Sequence, residues 1–374
     1  MTKRIVAVFT FCFVTLTQAQ TISPKLRFDL ILGDDESKPK EYLFASPKFI
    51  STDSRNNIFV ADRKNMRIRV FNEQGEFVKT IGARGRGPGE FLDITSMVVD
   101  NQDDLIVADH FNMRITRFSN MGLQIETYPI PISGRAQPWH IRTLGPQRFV
   151  LYYQVYSKER LEGQERLLHI YGADFRRVRE SLAPKSDIWD LTNAFERAQA
   201  GGPYSAYIAT SGDSLILLVP YFYQGFVYFY KKQQNTWKLS KRMGHRPEVQ
   251  AYELLDDRQY KDPRLRPSPW RSISNSDGKF LIRENNMSRG IHVLENGTIV
   301  HFSFLRSKKG TYIFGIEFFD PSGQFLGYGQ IENFKPFPAR NFPGLEVLWK
   351  DRSDRFYIID RSRFPIIKRA RFVH

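Results

Sequence analysis

Residues 53–75 read DSRNNIFVADRKNMRIRVFNEQG, and residues 100–122 read DNQDDLIVADHFNMRITRFSNMG. The two segments align without a gap at an offset of 47, with 10 of 23 positions identical. Asp53, Val60, Ala61, Asp62, Asn65, Met66, Arg67, Ile68, Phe71 and Gly75 all recur 47 positions on. A third copy, DRSDRFYIIDRSRFPIIKR, starts at Asp351 and keeps the nine-residue interval from Asp351 to Asp360 that separates Asp53 from Asp62. Weaker echoes run through 167–178, 215–232 and 312–329.

Inside one unit the periods are those of strands. FIST is short and apolar, IFVAD is a buried run, MRIRVF alternates and FVKTIG closes the unit, with polar turns between them. No 3.6-residue stripe runs through these units, so a helical repeat is excluded. Four short strands repeated at about 45 residues define a propeller blade. The expected fold is all-β: a six-bladed β-propeller of four-stranded antiparallel blades. The blades fall at 47–82, 94–128, 138–180, 204–244, one within 270–329, and 342–374. Two hairpins fit within 270–329, so a seventh blade stays open. The last blade lacks an outer strand, which RFDLILG at 27–33 supplies, closing the ring with strands from both termini and removing a free edge.

The run PKFISTDSRNNIFVADRKNMRIRVFNEQGEFVKTIGARGRGPGEF, with Asn65-Met66-Arg67 and Asn112-Met113-Arg114 at its signature positions, resembles the NHL repeat. The likeness is strong over two blades, fair in the last and faint from 130 to 330. It implies an exported six-bladed propeller of the kind common in bacteria. It also implies that Asp62, Arg67, Asp109, Arg114 and Asp360 are structural, pairing across the second-to-third-strand turn and bonding backbone between blades. A propeller hosts enzymes, sensors and binding modules alike, so the resemblance carries fold rather than activity.

The chain opens MTKRIVAVFTFCFVTLTQAQ. A basic leader, an apolar core and a small-residue Thr-Gln-Ala pattern mark residues 1–19 as a signal peptide, followed by a single domain at 20–374. That places the product in the periplasm or outside the cell. Cys12, the only cysteine, lies within the signal, so a mature chain has no disulfide, thiolate ligand or cysteine nucleophile. No later segment reaches the length of a membrane-spanning helix. The full chain carries +15. Loss of Lys3 and Arg4 leaves 53 basic against 40 acidic residues, or +13, a balance that favours anionic partners.

Blade strands alternate in direction, so the second-to-third-strand turns share one end with the connectors between blades and the starts of the innermost strands. That end collects Arg63-Lys64, His110-Phe111, the 156–165 loop and GARGRGPGEF at 82–91. It also holds two insertions, 184–203 and 245–269, each with a helix-like stretch, read as caps over this face. Lys48, Thr95, Trp139-His140 and Trp270-Arg271 are placed at the channel mouth. The candidate ligand-binding residues are therefore Arg84, Arg86, Lys48, Trp139, His140, Trp270 and Arg271. The glycines and proline of GARGRGPGEF make the turn between blades unaided, which leaves Arg84 and Arg86 without a structural reason.

Catalytic candidates are thin. Amidating lyases of the NHL class, by resemblance, hold zinc on histidines at innermost-strand starts, where this chain has Lys48, Thr95, His140 and Arg271. One histidine does not make a zinc site. Calcium-dependent six-bladed lactonases suggest Glu284, Asn285 and Asn286 in RENNMSRG. No Gly-x-Ser-x-Gly or His-Glu-x-x-His segment occurs. The expectation is a monomeric, non-catalytic module without cofactor, binding a protein or an anionic glycan of the envelope, with nucleic acid disfavoured by export. The alternative is a calcium- or zinc-dependent hydrolase or lyase with its site in the channel.

Overall fold

The computed structural model describes residues 20–21, 24–34, 39–130, 136–155, 166–190, 206–244, 251–255, 271–276, 279–284, 286–306, 311–338 and 344–373. The sequence-predicted signal peptide, the 156–165 loop and Trp270 lie outside these residues, as does most of each sequence-predicted insertion.

Six four-stranded antiparallel blades form the molecule. Blade one runs Pro47–Thr52, Ile58–Asp62, Arg67–Phe71, Phe77–Ile81. Blade two repeats it at Ile94–Val99, Leu105–Asp109, Arg114–Phe118, Gln124–Pro129. Blade three comprises Ala136–Thr143, Arg148–Val155, Arg166–Gly172, Val178–Pro184, and blade four Ala206–Ser211, Leu215–Pro220, Val227–Gln233, Thr236–Met243. Blade five is built from Asn286–Val293, Ile299–Arg306, Thr311–Phe319 and Phe325–Gln330. Blade six takes Glu346–Lys350, Phe356–Asp360 and Ile366–Val373. Lys25–Leu32 adds its outer strand, antiparallel, from Lys25↔Val373 to Leu32↔Ile367. Each innermost strand touches that of the next blade, and blade six returns to blade one, so the ring closes at six.

The 47-residue repeat becomes a set of backbone hydrogen bonds. Asp53 Oδ1 accepts from the amides of Arg55 and Asn57, Asp100 Oδ1 from those of Gln102 and Asp104, and Asp351 Oδ1 from those of Ser353 and Arg355. In all three turns the residue three positions on is left-handed: Asn56, Asp103 and Asp354, at φ 62°, 63° and 56°. Asn and Asp tolerate that region through local hydrogen bonding.

Apolar clusters fill the gaps between neighbouring blades. Phe59, Ile68, Ile81, Met97 and Val107 seal blades one and two. Others join blades two and three, three and four, and five and six. The connector GARGRGPGEF folds back on itself: Gly85 N donates to Phe91 O at 3.0 Å, and Phe91 N to Ala83 O at 2.7 Å. Phe91 is buried against Phe118. Gly82 has φ +76°, and a Cβ there would collide with the Phe91 ring, so glycine is required on both counts.

Two readings change. The innermost strand of blade five begins at Asn286, not near 270. The strands Ala251–Leu255, Lys279–Glu284 and Arg271–Ser276 instead form a separate three-stranded sheet, in that order. It is not a seventh blade, because the innermost strands of blades four and five touch each other directly. The stretch 249–260 was expected to be helix-like, yet within it Ala251–Leu255 is a strand paired with Lys279–Glu284. A short local helical pattern yields here to non-local pairing. In the other insertion Lys185–Ile188 is helical, and 191–203 lies outside the described residues.

Candidate functional site at the channel mouth

The innermost strands all begin at the same end of the channel, and β-bulges re-aim side chains there. Pairing with the second strand skips Lys48 in blade one, Thr95 in blade two, Trp139 in blade three and Arg289 in blade five. A bulge leaves one residue out of the ladder and turns its side chain away from the pleat. Three of these four carry a cation or an indole.

Lys48 and Glu346 meet across the mouth. Lys48 Nζ lies 3.4 and 3.3 Å from the two carboxylate oxygens of Glu346. Tyr207 donates to Glu346 Oε1 at 2.9 Å, and Arg361 Nη1 donates to Oε2 at 2.8 Å. Arg361 also donates to Pro47 O at 2.7 Å. Arg289, buried at 4 % exposure, rests its guanidinium over Tyr221 and Phe304, with centroids at 5.2 and 4.5 Å. On the other side of Lys48 stands Trp139. Lys48 Nζ and Arg63 Cζ lie 5.7 and 5.4 Å from its ring centroid, within cation–π range. Arg63 pairs with Asp93 at 2.6 Å, and Gln137 Nε2 donates to the same carboxylate at 3.2 Å.

A continuous chain results: Arg361, Glu346, Lys48, Trp139, Arg63, Asp93. Among the described residues, four cations with Arg289 included face two carboxylates, a net positive set. Lys48, Arg361 and Arg63 keep side-chain exposures of 24 %, 27 % and 32 %; they are reachable yet partly desolvated, where Coulomb forces are stronger than in open water. Burial alone would raise the Glu346 carboxyl, but Lys48, Arg361 and Arg289 outweigh it and hold it well below the usual carboxylate range. Burial lowers the Lys48 ammonium, and the charge of Glu346 opposes that shift.

His140, buried at 4 % exposure, packs its ring against Tyr207 at 5.8 Å, Phe49 at 6.3 Å and Tyr152 at 6.4 Å. Burial, then the charges of Arg142 and Lys48, push its pKa well below 6.5 against the pull of Glu346, so it is neutral at pH 7. Its Nε2 has no hydrogen-bond partner among the described residues.

The sequence-derived candidates divide. Lys48, Trp139 and His140 stand together at the mouth. Arg84 and Arg86 are exposed on the connector, and Arg84 donates to Lys64 O at 2.9 Å. Neither shares a partner with the mouth group among the described residues. Arg271 starts a strand of the separate three-stranded sheet, which removes it from the innermost strand of blade five. Glu284 ends a strand of that same sheet, and Asn285 lies outside the described residues. Asn286 is buried with its Oδ1 accepting from Arg306 N at 2.7 Å. Tyr207, Arg289, Glu346 and Arg361 were not foreseen.

The repeated acids and arginines hold backbone. Asp62 accepts from the amides of Ala45 and Ser46 at 3.0 and 2.8 Å. Asp109 does the same for Leu92 and Asp93, both at 2.9 Å. Arg114 donates to the connector carbonyls of Arg86, Gly87 and Glu90, and Asn112 to Gly85 O. Arg67 is the register partner of Asp62, but the cation facing Asp62 is Arg69, at 3.5 Å. Asp360 departs from the pattern, accepting instead from Ser362 and Lys368 within its own hairpin.

Elsewhere, Ser288, His301 and Glu317 line up in the order of a hydrolytic triad. Ser288 Oγ lies 3.1 Å from His301 Nε2, and His301 Nδ1 lies 2.6 Å from Glu317. All three are fully buried, however, and Ser288 Oγ donates to Pro220 O at 2.7 Å. Tyr223 adds a second short hydrogen bond to Glu317. This network ties blade four to blade five, and among the described residues all three of its side chains are sealed from solvent. At the opposite end, a cavity of about 450 Å³ between blades two and three is lined by Asp100, Arg117, Tyr128, Arg148 and Asp174 among others. Asp100 and Asp104 are both paired with Arg117 there. Among the described residues no three His, Cys, Asp or Glu side chains are grouped to hold a metal ion. Nor is any helix there long and apolar enough to cross a membrane.

Known proteins share this architecture. A family profile described as a 6-bladed beta-propeller matches residues 39–166. A Bacteroides fragilis protein described as exported superposes with a TM-score of 0.56 at 13% identity, covering 94% of this chain and 96% of its own. A member of the DUF4221 family from Bacteroides vulgatus gives 0.57 at 10% identity, covering 95% and 100%. A Xanthomonas campestris gluconolactonase gives 0.49 at 12% identity, covering 95% and 96%. No curated protein matches the chain in sequence. At such identities the shared property is the fold, and activity does not follow from it.

Proposed function

We propose that this chain is an exported propeller that binds an anionic ligand, a glycan or a protein partner's acidic group, at the channel mouth. The observation that supports it is the cation chain of Arg361, Lys48 and Arg63, joined through Glu346 and the Trp139 ring and only partly exposed. A merely solubilising charge would sit on the outer rim in bulk solvent. These cations are instead delivered inward by innermost strands and second-to-third-strand turns, and one of them by a bulge. Asp109 and Arg114 remain scaffold in this reading, and no catalytic residue is assigned.

Titration calorimetry of the purified protein with polygalacturonate and with dextran sulfate tests the reading. Wild type is expected to bind with an affinity that falls as salt rises. Lys48→Met and Arg63→Met should each weaken binding about ten-fold, a loss of about 1.4 kcal/mol per interaction. Arg84→Ala with Arg86→Ala should change it less than two-fold. Undiminished binding by both mouth variants would place the site elsewhere.

A further inference from the structure

We propose that the cavity between blades two and three, at the end opposite the mouth, binds an alkylguanidinium or alkylammonium group through Asp104 and Asp174. This site is separate from the anion-binding reading above and does not depend on it. At that end the first hairpins of neighbouring blades are stitched together. Ser54 N donates to Asp103 Oδ1 at 2.8 Å, Arg148 pairs with Asp213 at 3.1 Å, and Glu295 N donates to Asp354 Oδ1 at 3.1 Å. Among the described residues no such bond joins the first hairpins of blades two and three.

The turn before the outer strand explains the gap. In blades one, two and five this turn carries Gly75, Gly122 and Gly323, each with its amide bonded to the carbonyl three residues back. Each lies against the preceding blade; a Cβ on Gly122 would come within 3.0 Å of Ile81. Blade three has Phe175 at the equivalent position, with its amide bonded to Gly172 O. The Phe175 ring meets that of Tyr128 at 5.7 Å, and Tyr128 lies 47 positions beyond Ile81. Two rings therefore stand where a glycine and an isoleucine stand one seam earlier, and they wedge the blades apart. The outer strand of blade two is uncovered as a result. Gln124, Ile125, Glu126 and Thr127 are all exposed, whereas the outer strands of blades one and three begin with exposed and more buried residues in alternation. The cavity so opened, of about 450 Å³, has the size of a small-molecule pocket.

The charges lining it select a cation. Arg117 is held by Asp100 and Asp104 at 2.8 and 3.0 Å, and Arg148 by Asp213, so an anion would find both cations already neutralised. Asp104 Oδ2 takes Arg117 and Asp174 Oδ1 takes the amide of Arg176, while the second oxygen of each accepts nothing among the described residues. Arg179 approaches the same turn at Gly172 but forms no ion pair with Asp174. The two carboxylates come from opposite walls, one from each blade, and Ile125 and Pro146 add apolar surface to the lining. A guanidinium or ammonium on an aliphatic stem matches both features: its N–H groups meet the carboxylates in charge-assisted hydrogen bonds, and its stem covers the apolar side chains.

Titration calorimetry with agmatine, N-acetylarginine amide and the neutral isostere N-acetylcitrulline amide tests the site. Wild type should bind at least one guanidinium probe ten-fold or more tightly than the citrulline amide. Tighter binding of agmatine marks a free small cation as the ligand; binding of the arginine amide at least as tight as that of agmatine marks a peptide side chain. Asp174→Asn, which keeps an acceptor for the Arg176 amide, should weaken binding about ten-fold. Ile125→Arg, at an exposed position, supplies the pocket with the chain's own guanidinium and should abolish it. Matching melting curves confirm that both variants fold. Equal binding of the arginine and citrulline amides, no binding of either guanidinium probe, or binding that survives either variant unchanged would overturn the assignment.

Discussion

Glu346→Gln isolates the electrostatics of the mouth. The carboxylate sits at 10 % side-chain exposure among the charges of Lys48, Arg361 and Arg289, and it accepts hydrogen bonds from Lys48, Arg361 and Tyr207. Glutamine keeps the shape and still accepts hydrogen bonds, so the loss is one negative charge among three cations. Removing one partner of a buried ion pair costs about 3–5 kcal/mol, mostly from the charges left uncompensated. Lys48 and Arg361 are about a quarter exposed, so water screens them and the low end, about 3 kcal/mol, is expected. A chain of 374 residues melts with an entropy of about 0.8 kcal/mol/K. The expected fall in melting temperature is then about 4 °C by calorimetry. Added sulfate at fixed ionic strength should restore part of that loss, and it should raise the variant's melting temperature more than that of wild type. The difference separates a filled site from the general stabilising action of sulfate. A variant that melts within 1 °C of wild type and responds equally to sulfate would refute the charge argument.

Asp109 is fully buried and accepts from the amides of Leu92 and Asp93 as well as from Asn112. Asp109→Ala should therefore cost about 3 kcal/mol in urea unfolding, roughly 1 kcal/mol per stranded donor. Asp360→Ala, whose partners are in its own hairpin, should cost about 1 kcal/mol or less; equal costs would contradict the backbone-holding role. Acid should also weaken the fold. Burial lowers His292 to about 3 and His169 to about 4, so each folded pKa lies below its unfolded value. The unfolded chain therefore takes up protons first: their stabilisation is complete above pH 6.5 and declines as pH falls toward those values. Between pH 6.5 and 5 each should contribute a loss of about 2 kcal/mol. His292→Gln should show a flatter urea midpoint against pH, and an unchanged slope would rule out its part.

The fold was legible because the repeated residues hold backbone. Asp53, Asp100 and Asp351 each close the first hairpin of a blade, and Asp62 and Asp109 each pin the incoming connector, so their spacing repeats as faithfully as the blade itself. Blades three to five carry fewer of these devices and leave mainly strand alternation behind. That is why the innermost strand of blade five was placed some 15 residues too early, and why Arg289 was missed while Arg271 was chosen. Two other mouth residues did have a repeat signal. Glu346 precedes Asp351 by the same five positions that separate Lys48 from Asp53. Arg361 follows Asp360 as Arg63 follows Asp62, and all three turn residues Arg63, His110 and Arg361 donate their amides to an incoming connector. What no repeat conveys is which opposing side chains meet across the channel: Glu346 with Lys48, or Tyr207 with Glu346. Those pairs join blades one, four and six and exist only once the ring has closed.

The closing seam has a consequence for how such a chain can be made. Lys25 pairs with Val373, and the register runs on to Leu32 and Ile367, so the first blade-forming strand has no partner until the last has been synthesised. Loop closure over nearly the whole chain is also the slowest kind of contact to form. Until then blade six lacks its fourth strand, and the Lys48–Glu346 pair, which bridges the seam between blades six and one, is held by an open ring. A chain that crosses a membrane unfolded and in sequence order would thus complete its channel mouth only after Val373 has passed. Deletion of Lys25–Leu32, or of its partner Ile366–Val373, should disrupt the channel mouth before it unfolds the remaining blades.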